Sequence, residues 1–240
     1  MQVNSATAQA FDTIAQRAQD VQASFTPGAQ PSFDDAFIPG ATSRAVPDPL
    51  SAAAPPDAYF VCTDERGRTM YTRDGALQLR DGTITGADGR PVLGFSGAAT
   101  ALSELHVDAV DLALGRTRDL RIEADGSIMY DRSAMDPRSG AREVQSVIVG
   151  RVALARFPAA TKLPVADQNH FLAPPGVVAH FGRPSDGSFD ALAPMRREES
   201  RIDFERSLDR LHDAYVAFDA LAAANKAKGS AGKTAMDLVK

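Results

Sequence analysis

Tryptophan is absent from this 240-residue chain and aromatic residues supply only 7 %, so the core must rest on valine, leucine, isoleucine and phenylalanine. Cysteine occurs once, at Cys62, which excludes an internal disulfide and any metal site made of several cysteines. Its place in the alternating stretch "YFVCT" marks it as a small buried hydrophobe on a strand. Basic residues are outnumbered, with a net charge of −5 and a pI near 5.4, and no long basic stripe appears. Such a surface repels phosphate, so nucleic acid is not an expected partner. No apolar run reaches the length of a membrane span or a signal-peptide core, and the first basic residue is Arg17. Neither membrane insertion nor a cleaved leader is expected.

What the chain does have is turn chemistry. Asp-Gly occurs at Asp74-Gly75, Asp81-Gly82 and Asp88-Gly89, and again at Asp125-Gly126. This pair best tolerates the positive φ angles of tight hairpin turns, because glycine has no Cβ and aspartate bonds its own backbone. Between the turns, Ala76-Leu77-Gln78-Leu79 and Thr83-Ile84-Thr85 alternate apolar and polar, the period of a half-buried strand. The segment reads as a meander of short antiparallel strands with positive φ at or near Gly75. Calcium ligation by Asp74, Asp81 and Asp88 is the competing reading, but calcium loops place oxygens at every second residue rather than every seventh.

Five segments follow along the chain. Residues 1–25 read as a helix with Phe11, Ile14, Ala18, Val21 and Phe25 on one seam, stopped by Thr26-Pro27-Gly28. Residues 26–57 carry seven of the fifteen prolines and read as a linker or a docked extended strand. Residues 58–195 are β-rich, and the long apolar stretch Val144 to Phe157 has Gly150 in its middle, predicting a bend or bulge. "VDAVDLALG" fits either a strand or a short helix. Residues 198–224 read as a second heptad helix, with Phe204, Leu208, Leu211, Tyr215, Phe218 and Ala222 repeating at four, three, four, three and four. Residues 225–240 complete the chain as a flexible tail. Neither terminal helix buries enough apolar surface to offset its ordering entropy alone, so the two are expected to pair with each other and with copies from other molecules.

Terminal heptad helices around a β-rich middle resemble the flagellar basal-body rod and hook family, and the motifs agree. The strand Tyr59-Phe60-Val61, then Tyr71-Thr72-Arg73-Asp74-Gly75, then Gly89-Arg90-Pro91-Val92-Leu93-Gly94 are similar to that family's successive blocks. Later stretches, "IEADGSIMY", "VGRVALARFPAATKLPVADQNHFLAP" and "EESRIDFERSLDRLHDAYVAF", follow in the same order. The chain departs from the family in carrying Gln16, Gln19, Asp20 and Gln22 where asparagines are usual before Thr26-Pro27-Gly28. It also has Glu198-Glu199-Ser200-Arg201-Ile202 in place of Glu-x-Ser-Asn-Val. The resemblance implies a mixed fold, a β-rich central domain whose flanking helices pair as a coiled coil on assembly. It further implies a non-enzymatic, proximal-rod-like subunit without cofactor, exported through the flagellar type III apparatus and assembled in the periplasm with copies of itself and other axial proteins.

Other chemistry competes weakly. "AKGSAGKT", Ala227 to Thr234, fits a relaxed phosphate-loop pattern with Gly232, Lys233 and Thr234 in the reading positions. That mechanism needs a strand before the loop and a helix after it, whereas here a helix precedes and six residues follow. His106, His170, His180 and His212 show no ligand spacing, and no serine sits in a nucleophile elbow. A secreted β-rich binding module and a hydrolase using two distant carboxylates are the remaining alternatives.

Overall fold

The computed structural model describes residues 5–29, 31–33, 43–97, 99–135, 142–159, 161, 163–167 and 169–238. In chain order the elements are α1 (Ser5–Ala23), β1 (Ser43–Ala45), β2 (Ala52–Ala53), β3 (Ala58–Thr63), β4 (Thr69–Thr72), β5 (Leu77–Arg80) and β6 (Thr83–Gly86). Then come β7 (Leu93–Phe95), β8 (Ser103–Glu104), α2 (Ala109–Ala113), β9 (Thr117–Ile122), β10 (Ser127–Met135), β11 (Arg142–Val152) and β12 (Leu154–Arg156). Last are β13 (His170–Phe171), β14 (His180–Gly182), β15 (Ala193–Pro194), β16 (Arg196–Glu198) and α3 (Phe204–Leu238). Contacts divide the chain into a helical unit (Met1–Phe25, Ala29–Pro39, Ser200–Lys240) and a β unit (Thr26–Gly28, Gly40–Glu199).

Two five-stranded sheets, ordered β8-β7-β11-β10-β9 and β13-β4-β3-β12-β14, dominate the β unit. Only Ala153 separates β11 from β12, so one nearly continuous strand crosses from the first sheet to the second. The predicted irregularity is there: Ile128 faces Gly150 while Met129 faces Ile148, leaving Val149 as a bulge. Glycine leaves room beside it, since a Cβ would lie 2.6 Å from Leu105 Cδ2 and 3.0 Å from the Phe95 carbonyl oxygen, and both would have to shift. Alternation along β3 feeds two cores: Phe60 packs with Leu77, Ile84, Ile128, Tyr130 and Leu154, and Val61 packs with Tyr71, Leu93, Phe95, Ala153 and Phe171. The segment open to two readings is a helix, α2, capped by Asp108, whose Oδ1 accepts from the backbone N–H groups of Val110 and Asp111.

Three of the four Asp-Gly pairs are turns with glycine at positive φ: Gly82 at 81°, Gly89 at 88° and Gly126 at 77°. Asp81 also takes φ 50°, as the tight turn between β5 and β6 demands. The expectation fails at Asp74-Gly75, which is no hairpin turn and where Gly75 is absent from the positive-φ residues. Glycine is required there for a different reason: the backbone of β2 lies where a Cβ would stand.

Of the two readings of residues 26–57, the docked extended strand is the one that the described residues 43–57 take, and not the linker. β1 pairs with β16 and β2 with β15, and Leu50, Ala52, Ala53 and Ala54 are buried. Proline-rich composition disfavours helices and central strands, but alanines without Cγ atoms let an extended segment lie close against its neighbours.

In the helical unit α1 and α3 run side by side in opposite directions. Asn225 Nδ2 donates to Thr7 Oγ1 at 3.2 Å at one end, and the Phe25 and Phe204 rings lie 5.2 Å apart at the other. The start of α3 differs from the expected residue 198: Glu198 ends β16, and Asp203 caps the helix by accepting from the Arg206 N–H at 3.0 Å. The helix also continues past 224 to Leu238, through alanine, lysine and methionine, which are strong helix formers. Ala227 to Thr234 is therefore helical backbone, incompatible with a phosphate loop following a strand.

Candidate functional site

The motif residues converge on one buried cation. Arg73 follows β4 directly and its side chain is 1 % exposed, as is that of its partner Glu198. Nε and Nη2 both lie 2.5 Å from Glu198 Oε2. Nη1 donates to the carbonyl oxygens of Ala58 at 2.6 Å and Pro56 at 3.0 Å, and Nη2 to that of Pro55 at 3.2 Å. All five guanidinium protons are thus engaged, a geometry lysine cannot reproduce. Gly28, at φ 70°, presses on the same side chain, for a Cβ there would stand 2.4 Å from Arg73 Cβ. Its N–H donates to the Glu199 carbonyl oxygen at 3.1 Å. Three motifs far apart in sequence, at residues 26–28, 71–75 and 198–199, therefore form one contact where the chain enters and leaves the β unit.

The other motif positions have structural reasons too. Tyr71 meets Phe157 edge-on at 4.8 Å, and the Thr72 hydroxyl accepts from the Asp74 N–H at 3.0 Å. Val92 and Leu93 are buried, the first donating its N–H to Ile84 and the second accepting from Ala153. A Cβ on Gly94 would lie 2.3 Å from the Arg151 carbonyl oxygen.

The helical seam divides. Ile14 is buried and Ala18, Val21, Leu211 and Phe218 are half-buried, whereas Phe11, Phe25, Phe204, Leu208, Tyr215 and Ala222 are exposed. The covered face of α3 is Ser207, Leu211, Ala214, Phe218, Leu221 and Asn225, also spaced at four and three but offset from the heptad seam. Phe204, Leu208 and Tyr215 keep 40 %, 47 % and 50 % of their surface open. Sequence reasoning missed this second face because serine, alanine and asparagine carry no hydrophobic signal. It also missed Asp20, buried in place of an expected asparagine, whose Oδ1 accepts from the Ser32 N–H at 2.9 Å and hydroxyl at 2.7 Å.

The ionisable groups elsewhere act within the fold. The Cys62 thiol is pushed up to about 12, chiefly by burial, and is inert as a nucleophile. Tyr130 is likewise raised to about 12 by burial and by donating to Asp111 Oδ2 at 2.7 Å. His170 Nδ1 lies 2.7 Å from both Asp167 Oδ1 and Arg90 Nη1, His106 bonds Thr83, His180 stacks on Phe189, and His212 is exposed. Among the described residues no group of three His, Cys, Asp or Glu is placed to hold a metal.

Burial raises Asp167, but hydrogen bonds from Arg90 and His170 outweigh it and hold the carboxyl below its usual value. Asp186 behaves alike, with burial outweighed by the backbone N–H groups of Arg183, Ser188 and Phe189. Their contribution to stability is complete above about pH 4, the unfolded value, and is lost as pH falls through the lower folded values. Urea midpoints should therefore drop below about pH 4, and Asp167→Asn or Asp186→Asn should lower the pH 7 midpoint while flattening that drop. Midpoints indifferent to pH down to 2 would show that these contacts contribute nothing.

Residues 56–130 match the family model of the flagellar hook protein FlgE/F/G D1 domain. This stretch, under half of the chain, is similar to the D1 domain of flagellar hook and rod proteins. The match runs from Pro56, which binds Arg73, to Tyr130 in the core of the first sheet, and so takes in the Tyr71 to Gly94 motif. Comparison with curated proteins gives no match. Among the described residues no helix is long and apolar enough to cross a membrane.

Proposed function

We propose that this protein is a structural subunit of the flagellar basal-body rod that self-assembles through its terminal helices. The D1 match supports a flagellar axial role, and the apolar stripe of Phe204, Leu208 and Tyr215 left open on α3 supports assembly through the helices. In the assembled rod this stripe, with Phe11 and Phe25 of α1, packs as a coiled coil against copies of the chain and neighbouring axial proteins. The protein reaches that place through the flagellar type III export apparatus and resides in the periplasm. The β unit acts as a spacer.

The test separates the covered face from the open one. Leu211 faces inward, so a charge there disrupts the unit itself; Leu208 and Tyr215 are open. Leu208→Asp and Tyr215→Asp are expected to leave helix content unchanged by circular dichroism and export intact, while motility is lost and the protein is missing from purified basal bodies. Normal motility with either variant, or absence of the wild-type protein from basal bodies, would remove the rod assignment.

A further inference from the structure

Of the four histidines His170 alone is buried, its side chain 6 % exposed at the start of β13, and charged groups meet both of its ring nitrogens. Nδ1 lies 2.7 Å from Asp167 Oδ1 on its own loop and 2.7 Å from Arg90 Nη1 on the turn between β6 and β7. Nε2 faces Asp88 Oδ2, on that same turn, at 3.5 Å. Arg90 Nη1 also donates to Asp167 Oδ2 at 2.5 Å and lies 3.3 Å from Asp88 Oδ2. The Cys62 thiol on β3, which feels Asp88, Arg90 and Asp167, and the Tyr71 hydroxyl on β4, which pairs with Phe171, are both raised by burial and bring no charge. Asp74 contacts the loop through Asn169 Nδ2 at 3.4 Å and is paired with Arg197.

A guanidinium can only donate and an ionised carboxylate can only accept, so Nδ1 cannot satisfy both of its neighbours at once. With one proton on the ring, that proton belongs on Nε2, where it points at the Asp88 carboxylate, and the Nδ1 lone pair accepts from Arg90. A second proton, at Nδ1, reverses the bond. We propose that His170 is a proton-operated switch: protonation at Nδ1 moves its hydrogen bond from Arg90 to Asp167 and turns the freed Arg90 Nη1 proton to Asp88. This switch is independent of rod assembly. The exchange leaves no group unpaired, since Asp88 Oδ2 stands 3.3 Å from Nη1 and two carboxylates then face two cations. What changes is which parts of the chain are joined. With a neutral ring, Nη1 ties the turn to the loop through both Asp167 and His170; with a protonated ring the loop bonds within itself and Nη1 holds it through Asp167 alone. Val165 in this loop is 59 % exposed, so the switch loosens a surface segment. Its remaining ties are backbone bonds, from Ala166 to the His170 carbonyl oxygen at 2.8 Å and from Leu172 to that of Pro164 at 2.9 Å.

Nitrogen NMR of the isotopically labelled full chain reads the ring directly, because a bare ring nitrogen and a protonated one resonate far apart. Between about pH 8 and about pH 5, where histidine side chains change charge, His170 Nδ1 is expected to pass from bare acceptor to protonated donor while Nε2 stays protonated. The Arg90 side-chain signals are expected to shift with the same midpoint. Corrected for intrinsic rates, amide exchange of residues 163–167 should quicken by about ten-fold relative to the rest of the β unit over the same interval, the loss of one tie. His170→Gln, which takes up no proton in this range, should remove both the Arg90 shift and the exchange step. The wild-type spectra are decisive even where that variant does not fold. A ring that holds one protonation state throughout, a neutral ring with its proton on Nδ1, Arg90 signals that ignore the ring, or an exchange step that survives His170→Gln would each overturn the proposal.

Discussion

Gly75→Val is expected to abolish folding of the β unit rather than trim its stability. A Cβ at this position would stand 1.7 Å from the Ala52 carbonyl oxygen, 2.9 Å from the Ala52 carbonyl carbon and 2.8 Å from Phe60 Cε2. The first two atoms are backbone and cannot rotate away. Neither can β2 retreat as a whole, because Ala52 donates its N–H to the Gly75 carbonyl oxygen at 3.0 Å and pairs with Pro194 on its other side. Ordinary overpacking costs about 1 to 3 kcal/mol because side chains shift to absorb it; here three strands must separate, and the cost should exceed about 4 kcal/mol. Set against a total stability of about 5 to 15 kcal/mol, that leaves little or no folded protein. Gly67 supplies the control, since it has φ 74° but nothing within 4 Å of a Cβ, so Gly67→Ala should cost only about 1 kcal/mol. Thermal unfolding of the full chain checks both, with Gly75→Ala as the milder variant. A Gly75→Ala melting temperature within about 2 °C of wild type would mean that the approach of β2 is not a constraint.

The same glycine shows where sequence reading stops. Asp81-Gly82, Asp88-Gly89 and Asp125-Gly126 were legible as turns because the demand for positive φ arises within four residues of chain. Gly75 answers to Ala52, more than twenty positions earlier, and no local pattern encodes that distance. Likewise the bulge near Gly150 could be anticipated from a glycine inside a long apolar strand, while the burial of Ala52 to Ala54 was only one of two readings, since alanine and proline composition fits a linker as well as a docked strand. On α3 the large residues mark the heptad seam clearly. The face that packs on α1 is offset from it and relies partly on Ser207, Ala214 and Asn225, which periodicity of large hydrophobes overlooks. Arg73 was singled out as part of a motif, but its partner was hidden, because an arginine and a glutamate 125 residues apart carry no sign of meeting.

That pairing should prove the most costly side-chain contact to break. With both groups 1 % exposed, salt cannot screen them and water cannot replace either one. Glu198→Gln keeps a hydrogen-bond acceptor but leaves the guanidinium buried without a counter-charge, so a loss of about 3 to 5 kcal/mol is expected. Arg73→Met should cost at least as much, because it removes the counter-charge beside the buried Glu198 carboxylate and also the guanidinium donors to the carbonyl oxygens of Pro55, Pro56 and Ala58. Arg73→Lys should recover only part of the loss, since three ammonium protons cannot meet acceptors arranged for a planar fork. The double variant Arg73→Met/Glu198→Met separates the two costs. Replacing a buried pair by apolar groups is often neutral, yet here three carbonyls each lose a guanidinium donor, so the double variant should recover the charge penalty and retain a residual loss of about 1 to 3 kcal/mol. Denaturant midpoints at pH 7 in low and high salt measure all four variants. If Glu198→Gln unfolds at the wild-type midpoint, the ion pair does not hold β16 to the end of β4, and the convergence of Gly28, Arg73 and Glu198 is packing without consequence.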